Sequence, residues 1–91
     1  MAKLLTREDF AALTPGDHVW VELFGWHRTE EWVVGTIYFD HPELKGLWKR
    51  QGRRAVGHVF NFDTDQVRFW DSSPSLGELA VASWCAAKVQ Q

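Results

Sequence analysis

Between His41 and Arg54 the chain reads "HPELKGLWKRQGRR", which sets Lys45, Lys49, Arg50, Arg53 and Arg54 around the single indole of Trp48. Guanidinium forks match the oxygens of phosphates and carboxylates, and an indole offers a flat face for stacking on a base or filling a partner's pocket. Across 41–54 five basic residues stand against Glu43 alone, a local charge of +4. The remainder holds five basic and eleven acidic residues, −6, so that the whole chain carries −2. An acidic body repels phosphate, which excludes a protein that coats long nucleic acid but leaves room for one discrete basic site. The bland reading stands beside the functional one: a solvated loop between two strands, with Trp48 folded over the open end of the core and the arginines in water.

A second group lies in "FGWHRTEEW", read as a loop connecting two strands, where Trp26, His27 and Arg28 precede Glu30 and Glu31. Trp and Arg dominate binding hot spots, although Trp26 or Trp32 serves equally well as a lid on the core. Trp20 falls on the strand face opposite Val19 and Val21, so it stands exposed with Phe24 unless the C-terminal segment covers it.

Other chemistry finds little support. The histidines at 18, 27, 41 and 58 form no His-x-x-x-His pair, and Cys85 alone supplies no Cys-x-x-Cys, so neither a metal nor another cofactor is expected. His58 reads as a hydrogen-bonded, partly buried strand residue. Asp17-His18 and Asp40-His41 are adjacent, but neighbours on a strand point to opposite faces and make no dyad. Cys85 sits among alanines as a small packed residue, and Asp63 and Asp65 fit a turn. With no glycine-rich phosphate loop either, an enzyme is not expected.

The elements that must position these residues belong to one small domain, since 91 residues bury only about 60–65% of their unfolded surface. Six Trp and six Phe can fill a short core or anchor a partner. One cysteine permits no internal disulfide, which favours a reducing, cytoplasmic setting, and neither a leader peptide nor an apolar run of membrane-spanning length is recognised. Thr6 ahead of "REDFAAL" predicts a short helix over about 7–12, ended by "TPGD" at 14–17. "HVWVELF" (18–24) alternates as a strand with Val19, Val21 and Leu23 inward. "WVVGTIYFD" (32–40) is a second strand, with Gly35 at a bulge, a bend or a close backbone approach. The basic stretch follows as a loop, broken by Pro42, Gly46 and Gly52. "AVGHVFNF" (55–62) and "QVRFWD" (66–71) are strands three and four, joined by Asp63-Thr64-Asp65. Ser72 or Ser73 can cap a C-terminal helix with Pro74 in its first turn and an Ala-rich run to Lys88; a strand over 78–84 is the alternative.

"LTPGDHVWVEL" (13–23) followed by "WVVGTIYFD" resembles the opening of SH3-like barrels found in ribosomal and transcription-associated domains, in which a Pro-Gly-Asp turn starts the first strand and a glycine lets the next one bend. The resemblance implies a mostly β (α+β) chain: a small SH3-like antiparallel barrel of four or five strands with an N-terminal helical turn and a C-terminal helix. Such barrels bind peptides, nucleic acids and proteins alike, so fold alone assigns no function. The aromatic and acidic set of a proline-rich-peptide groove is not found. A very small, Trp-rich chain without catalytic motifs also resembles in style the phage or mobile-element inhibitors that block a larger protein sterically. The expected role is therefore a non-enzymatic module docking on a protein with an acidic surface through Trp20, Trp26, Arg28, Trp48, Lys49, Arg50, Arg53 and Arg54. DNA or RNA binding through the same stretch is the alternative, and self-association into a homodimer a third; no membrane partner is expected.

Overall fold

The computed structural model describes residues 1–23, 28–35 and 40–81. Phe24, Trp26, His27, Trp84 and Cys85, and the Ala-rich run beyond Val81, lie outside the described residues. Helix α1 spans Arg7–Ala11, followed by strands β1 (His18–Leu23), β2 (Thr29–Val34), β3 (Leu44–Gln51), β4 (Arg54–Asn61) and β5 (Val67–Trp70), then helix α2 (Leu76–Val81). The strands form one antiparallel sheet in the order β4-β3-β2-β1-β5.

Five residues cannot hold a helix by themselves, so α1 depends on its cap and on one buried side chain. Thr6 Oγ accepts from the Asp9 amide at 3.2 Å, and Asp9 Oδ2 accepts from the Thr6 amide at 3.1 Å, closing a capping box. Phe10 is fully buried against Phe69 and Phe62, with ring centres 4.6 and 5.4 Å away. At the other end of the helix the Lys45 ammonium donates to the Ala11 carbonyl at 3.2 Å, which places a buried lysine on a helix-end acceptor.

The turn at 14–17 has Pro15 and Gly16 in its central positions, with Gly16 at φ +96 and the Asp17 amide donating to the Thr14 carbonyl at 3.0 Å, the pattern of a type II turn. Gly16 and Val34 then lock this turn to the end of β2, through Gly16 N–H to Val34 O and Val34 N–H to Asp17 O, both 2.8 Å. From there the predicted alternation holds. Val19 and Val21 face the core with Trp32, Val34, Leu47, Phe60, Val67 and Phe69.

Four expectations are corrected. The sheet is not closed into a barrel: Phe60 and Phe69 meet edge to face at 5.8 Å across its inner side, but β4 and β5 do not pair. Closure is prevented because β5's outer edge is already taken by the N-terminal segment, through Leu5 N–H to Phe69 O at 2.8 Å and Asp71 N–H to Lys3 O at 3.0 Å. The basic stretch is not a loop, since most of it forms β3 and the start of β4. Glu30 and Glu31 belong to β2, not to a connection, which makes β2 begin at Thr29. Finally, Ser75 caps α2 in place of Ser72 or Ser73: its Oγ accepts from the Glu78 amide at 3.1 Å, and Glu78 Oε1 accepts from the Ser75 amide at 3.0 Å. The strand alternative is thereby excluded for 78–81.

Both capping carboxylates are held below their ordinary values, Asp9 chiefly by the Thr6 backbone and Glu78 chiefly by the Ser75 backbone. A depressed folded-state pKa contributes stability above the ordinary carboxylate range and loses it as pH falls through the folded value. The stability gap between the wild type and an Asp9→Asn/Glu78→Gln variant is therefore expected at neutral pH and should vanish in strong acid. Denaturation followed at several pH values checks this; a gap that persists in acid contradicts the capping role.

Candidate functional site

The site is built on the β3–β4 hairpin. Its eight register pairs run unbroken from Leu44↔Asn61 to Gln51↔Arg54, and the connection is the two residues Gly52 and Arg53. Gly52 has φ +64 and Arg53 does not have positive φ, which is the glycine-first pattern of a type II′ turn. β3 pairs with β2 only at Val33↔Trp48 and Val34↔Leu47, extended by Gly35 N–H to Gly46 O at 2.9 Å. Among the described residues the hairpin beyond Trp48 is paired only with itself, so Lys49–Val56 projects past the strand pairing as an arm.

Strand alternation then sorts the expected site residues. Trp48 and Arg50 share the outer face, where Trp48 is 41% exposed and lies in a cross-strand row with His18, Val33 and Gly57. Val59, 48% exposed, continues this apolar face. Arg53 and Arg54 sit at the tip. Arg50, Arg53 and Arg54 are exposed and form no ion pair among the described residues. Lys49 points to the inner face instead: its ammonium donates to Glu30 Oε2 at 2.7 Å and stands 5.0 Å from the Trp32 ring centre. Lys45 is buried at the end of α1. Of five cations in the stretch, three are left to meet a partner.

Trp20 shares the outer face but stands half-buried on β1, with the His18 ring 6.3 Å away and Trp70 opposite it on β5. Arg28 lies exposed immediately ahead of β2. Trp26 is outside the described residues. Trp32 is a core residue, edge to face with Phe60 at 5.2 Å, and its Nε1 is buried without a hydrogen-bond partner among the described residues. His58 is exposed, with its ring against Phe60 at 4.6 Å, contrary to the partly buried placement expected for it; a residue this near the sheet edge has no second strand to cover it. His18 Nδ1 engages Glu31 across the strands at 2.6 Å, not the adjacent Asp17. Among the described residues no His, Cys, Asp and Glu side chains cluster as metal ligands, and no helix is long and apolar enough to cross a membrane.

One polar cluster was not anticipated. Glu22 and Arg68 are cross-strand partners on the outer side of β1 and β5, each about 1% exposed in its side chain. Arg68 donates through Nε and Nη2 to Glu22 Oε1 at 3.0 and 2.8 Å and through Nη2 to Oε2 at 2.9 Å. Trp70 Nε1 donates to the same Oε1 at 2.9 Å. The signal available was a lone Glu in the middle of a strongly apolar strand, with a lone Arg between apolar residues in "QVRFWD".

No family model, curated protein or solved structure matches this chain.

Removing one member of a buried pair leaves the other charge uncompensated, at a cost of about 3–5 kcal/mol, whereas replacing both by apolar residues is far better tolerated. Arg68→Met alone is therefore expected to lower unfolding stability by several kcal/mol, and Glu22→Met/Arg68→Met to recover most of the loss. Chemical denaturation of the two variants checks this; a double variant no more stable than Arg68→Met would contradict it.

Proposed function

We propose that this chain is a non-catalytic binding module of SH3-like type that docks its hairpin arm on an acidic surface of a larger protein and obstructs that surface sterically. The observation that carries the reading is the pairing of an exposed Trp48 with Arg50, Arg53 and Arg54, none of which has an acidic partner among the described residues. Large aromatics and arginines supply most of the energy at protein interfaces, and unpaired guanidiniums steer association toward negative surfaces. Two further features support it: the arm projects beyond the sheet, so it can enter a concave site, and the rest of the chain is acidic, which suppresses indiscriminate binding to phosphate. The SH3-like assignment rests on the Pro15-Gly16 turn and on a five-strand antiparallel sheet curled about aromatic rings.

A nucleic acid strand is the second reading, because an indole next to guanidiniums also suits base stacking with phosphate contact. The two readings separate by salt dependence. Phosphate recognition loses affinity in proportion to the counterions released, so a nucleic-acid binder retains DNA or RNA at low salt and loses it steeply as salt rises.

Affinity capture from the native host is expected to recover one acidic protein with the wild type and to lose it with Arg50→Glu/Arg53→Glu. Trp48→Ala should weaken the same capture by about 2 kcal/mol, roughly thirty-fold, as for an interface anchor. Arg50 and Arg53 are exposed and form no ion pair among the described residues, so the charge-reversal variant should keep its thermal midpoint. Undiminished capture by both variants would remove the hairpin from the interface, and tight low-salt binding to nucleic acid with no protein captured would favour the second reading.

A further inference from the structure

We propose that two copies of this chain associate through the free edge of β4, antiparallel and centred on Gly57, to join their sheets into one. The inference uses the backbone of β4 and does not depend on the docking role of the arm's side chains.

The hydrogen-bond alternation follows from the hairpin. The closing pair Gln51↔Arg54 across a two-residue turn exchanges hydrogen bonds, so Lys49↔Val56, Leu47↔His58 and Lys45↔Phe60 do so too. Two observed bonds agree: Phe62 N–H to Glu43 O at 2.9 Å continues that series, and Gly35 N–H to Gly46 O shows the intervening residues of β3 turned toward β2. The intervening residues of β4 are Ala55, Gly57, Val59 and Asn61, whose amides and carbonyls therefore point away from β3. Asn61 is satisfied locally, its amide donating to Asp65 Oδ2 at 2.8 Å and its carbonyl accepting from the Asp65 amide at 3.0 Å. Among the described residues, Ala55, Gly57 and Val59 are left with exposed, outward backbone groups and no hydrogen-bond partner.

The devices that usually protect an edge strand are missing here. Register runs without a bulge, and residues 55–59, "AVGHV", contain no Pro, Lys or carboxylate. The opposite edge of the sheet, β5, is covered by residues 3–5, so β4 is the exposed one.

A second copy fits this edge for two reasons. The unpartnered stretch is symmetric about Gly57: a two-fold axis there sets Gly57 against Gly57 and Ala55 against Val59, and each such pair exchanges both of its hydrogen bonds. Charge is complementary along the strand, because β4 starts at Arg54, directly after Arg53 of the turn, and is followed by Asp63 and Asp65. Antiparallel copies therefore bring the basic tip of one toward the acidic turn of the other, Asp63 being shared with Arg7. Trp48 and Arg50 stay on the outer face of the joined sheet.

Sedimentation velocity of the full chain over a concentration series tests the pairing. The wild type should pass from monomer to dimer with rising concentration. Ala55→Lys/Val59→Lys places lysine opposite lysine and should leave a monomer throughout, with an unchanged circular dichroism spectrum. Ala55→Lys/Val59→Glu places each lysine opposite the partner's glutamate and should restore the dimer at least tenfold relative to the double lysine variant. A wild type that is monomeric at all concentrations overturns the proposal. So does a dimer that survives the double lysine substitution, or a folded Lys/Glu variant that remains as monomeric as the double lysine one.

Discussion

The ring of Phe69 holds this structure together. It is fully buried on β5 and contacts Phe10 of α1 at 4.6 Å, Phe60 of β4 at 5.8 Å and Phe62 beyond β4 at 5.8 Å. One side chain thereby ties the helix and both ends of the strand order to a common centre, and an aromatic residue can do so because it brings a large contact area with few rotatable bonds. The rings fill the space between β4 and β5 while the N-terminal segment occupies β5's edge. The sheet is drawn into a curl by side chains and stops short of closing by backbone hydrogen bonds.

That arrangement decides which parts are free to act. Because β3 meets β2 over two register pairs among the described residues, the hairpin beyond Trp48 is anchored at its base, and its tip residues from Arg50 to Ala55 are exposed. The inner side of its base is committed to the fold, with Lys45 on the end of α1 and Lys49 on Glu30 above Trp32. The outer side and tip carry Trp48, Arg50, Arg53 and Arg54. On the other flank, Glu22, Arg68 and Trp70 form a buried hydrogen-bonded cluster, where a misplaced register would strand a charge; such a cluster favours one alignment of β1 and β5 over its neighbours.

Much of this was legible in the sequence, in particular places. Thr6 before an acidic turn, Pro15-Gly16, and the alternation of Val19 and Val21 each report a local preference, and each element formed where its residues indicate. The charge count also located the candidate site. What it could not give was the strand character of residues 44–51: Gly46 and the run of cations argue against a strand locally, while pairing with β4 and the burial of Leu47 override them. The division of five cations into three free and two committed was hidden for the same reason, since it depends on which face each residue takes. Barrel closure was misjudged because nothing local in "AKLLT" announces that residues 3–5 will cover an edge strand more than sixty residues away.

The open edge of β4 underlies both the freedom of the arm and the pairing of two copies. Residue-resolved amide exchange along β4, in dilute solution where the chain is monomeric, tests it most directly. Val56, His58 and Phe60 should be protected, while Ala55, Gly57 and Val59 exchange nearly as fast as unstructured amides. Equal protection of both sets at low concentration would mean that β4 is paired on both sides within one chain, and would contradict the open sheet.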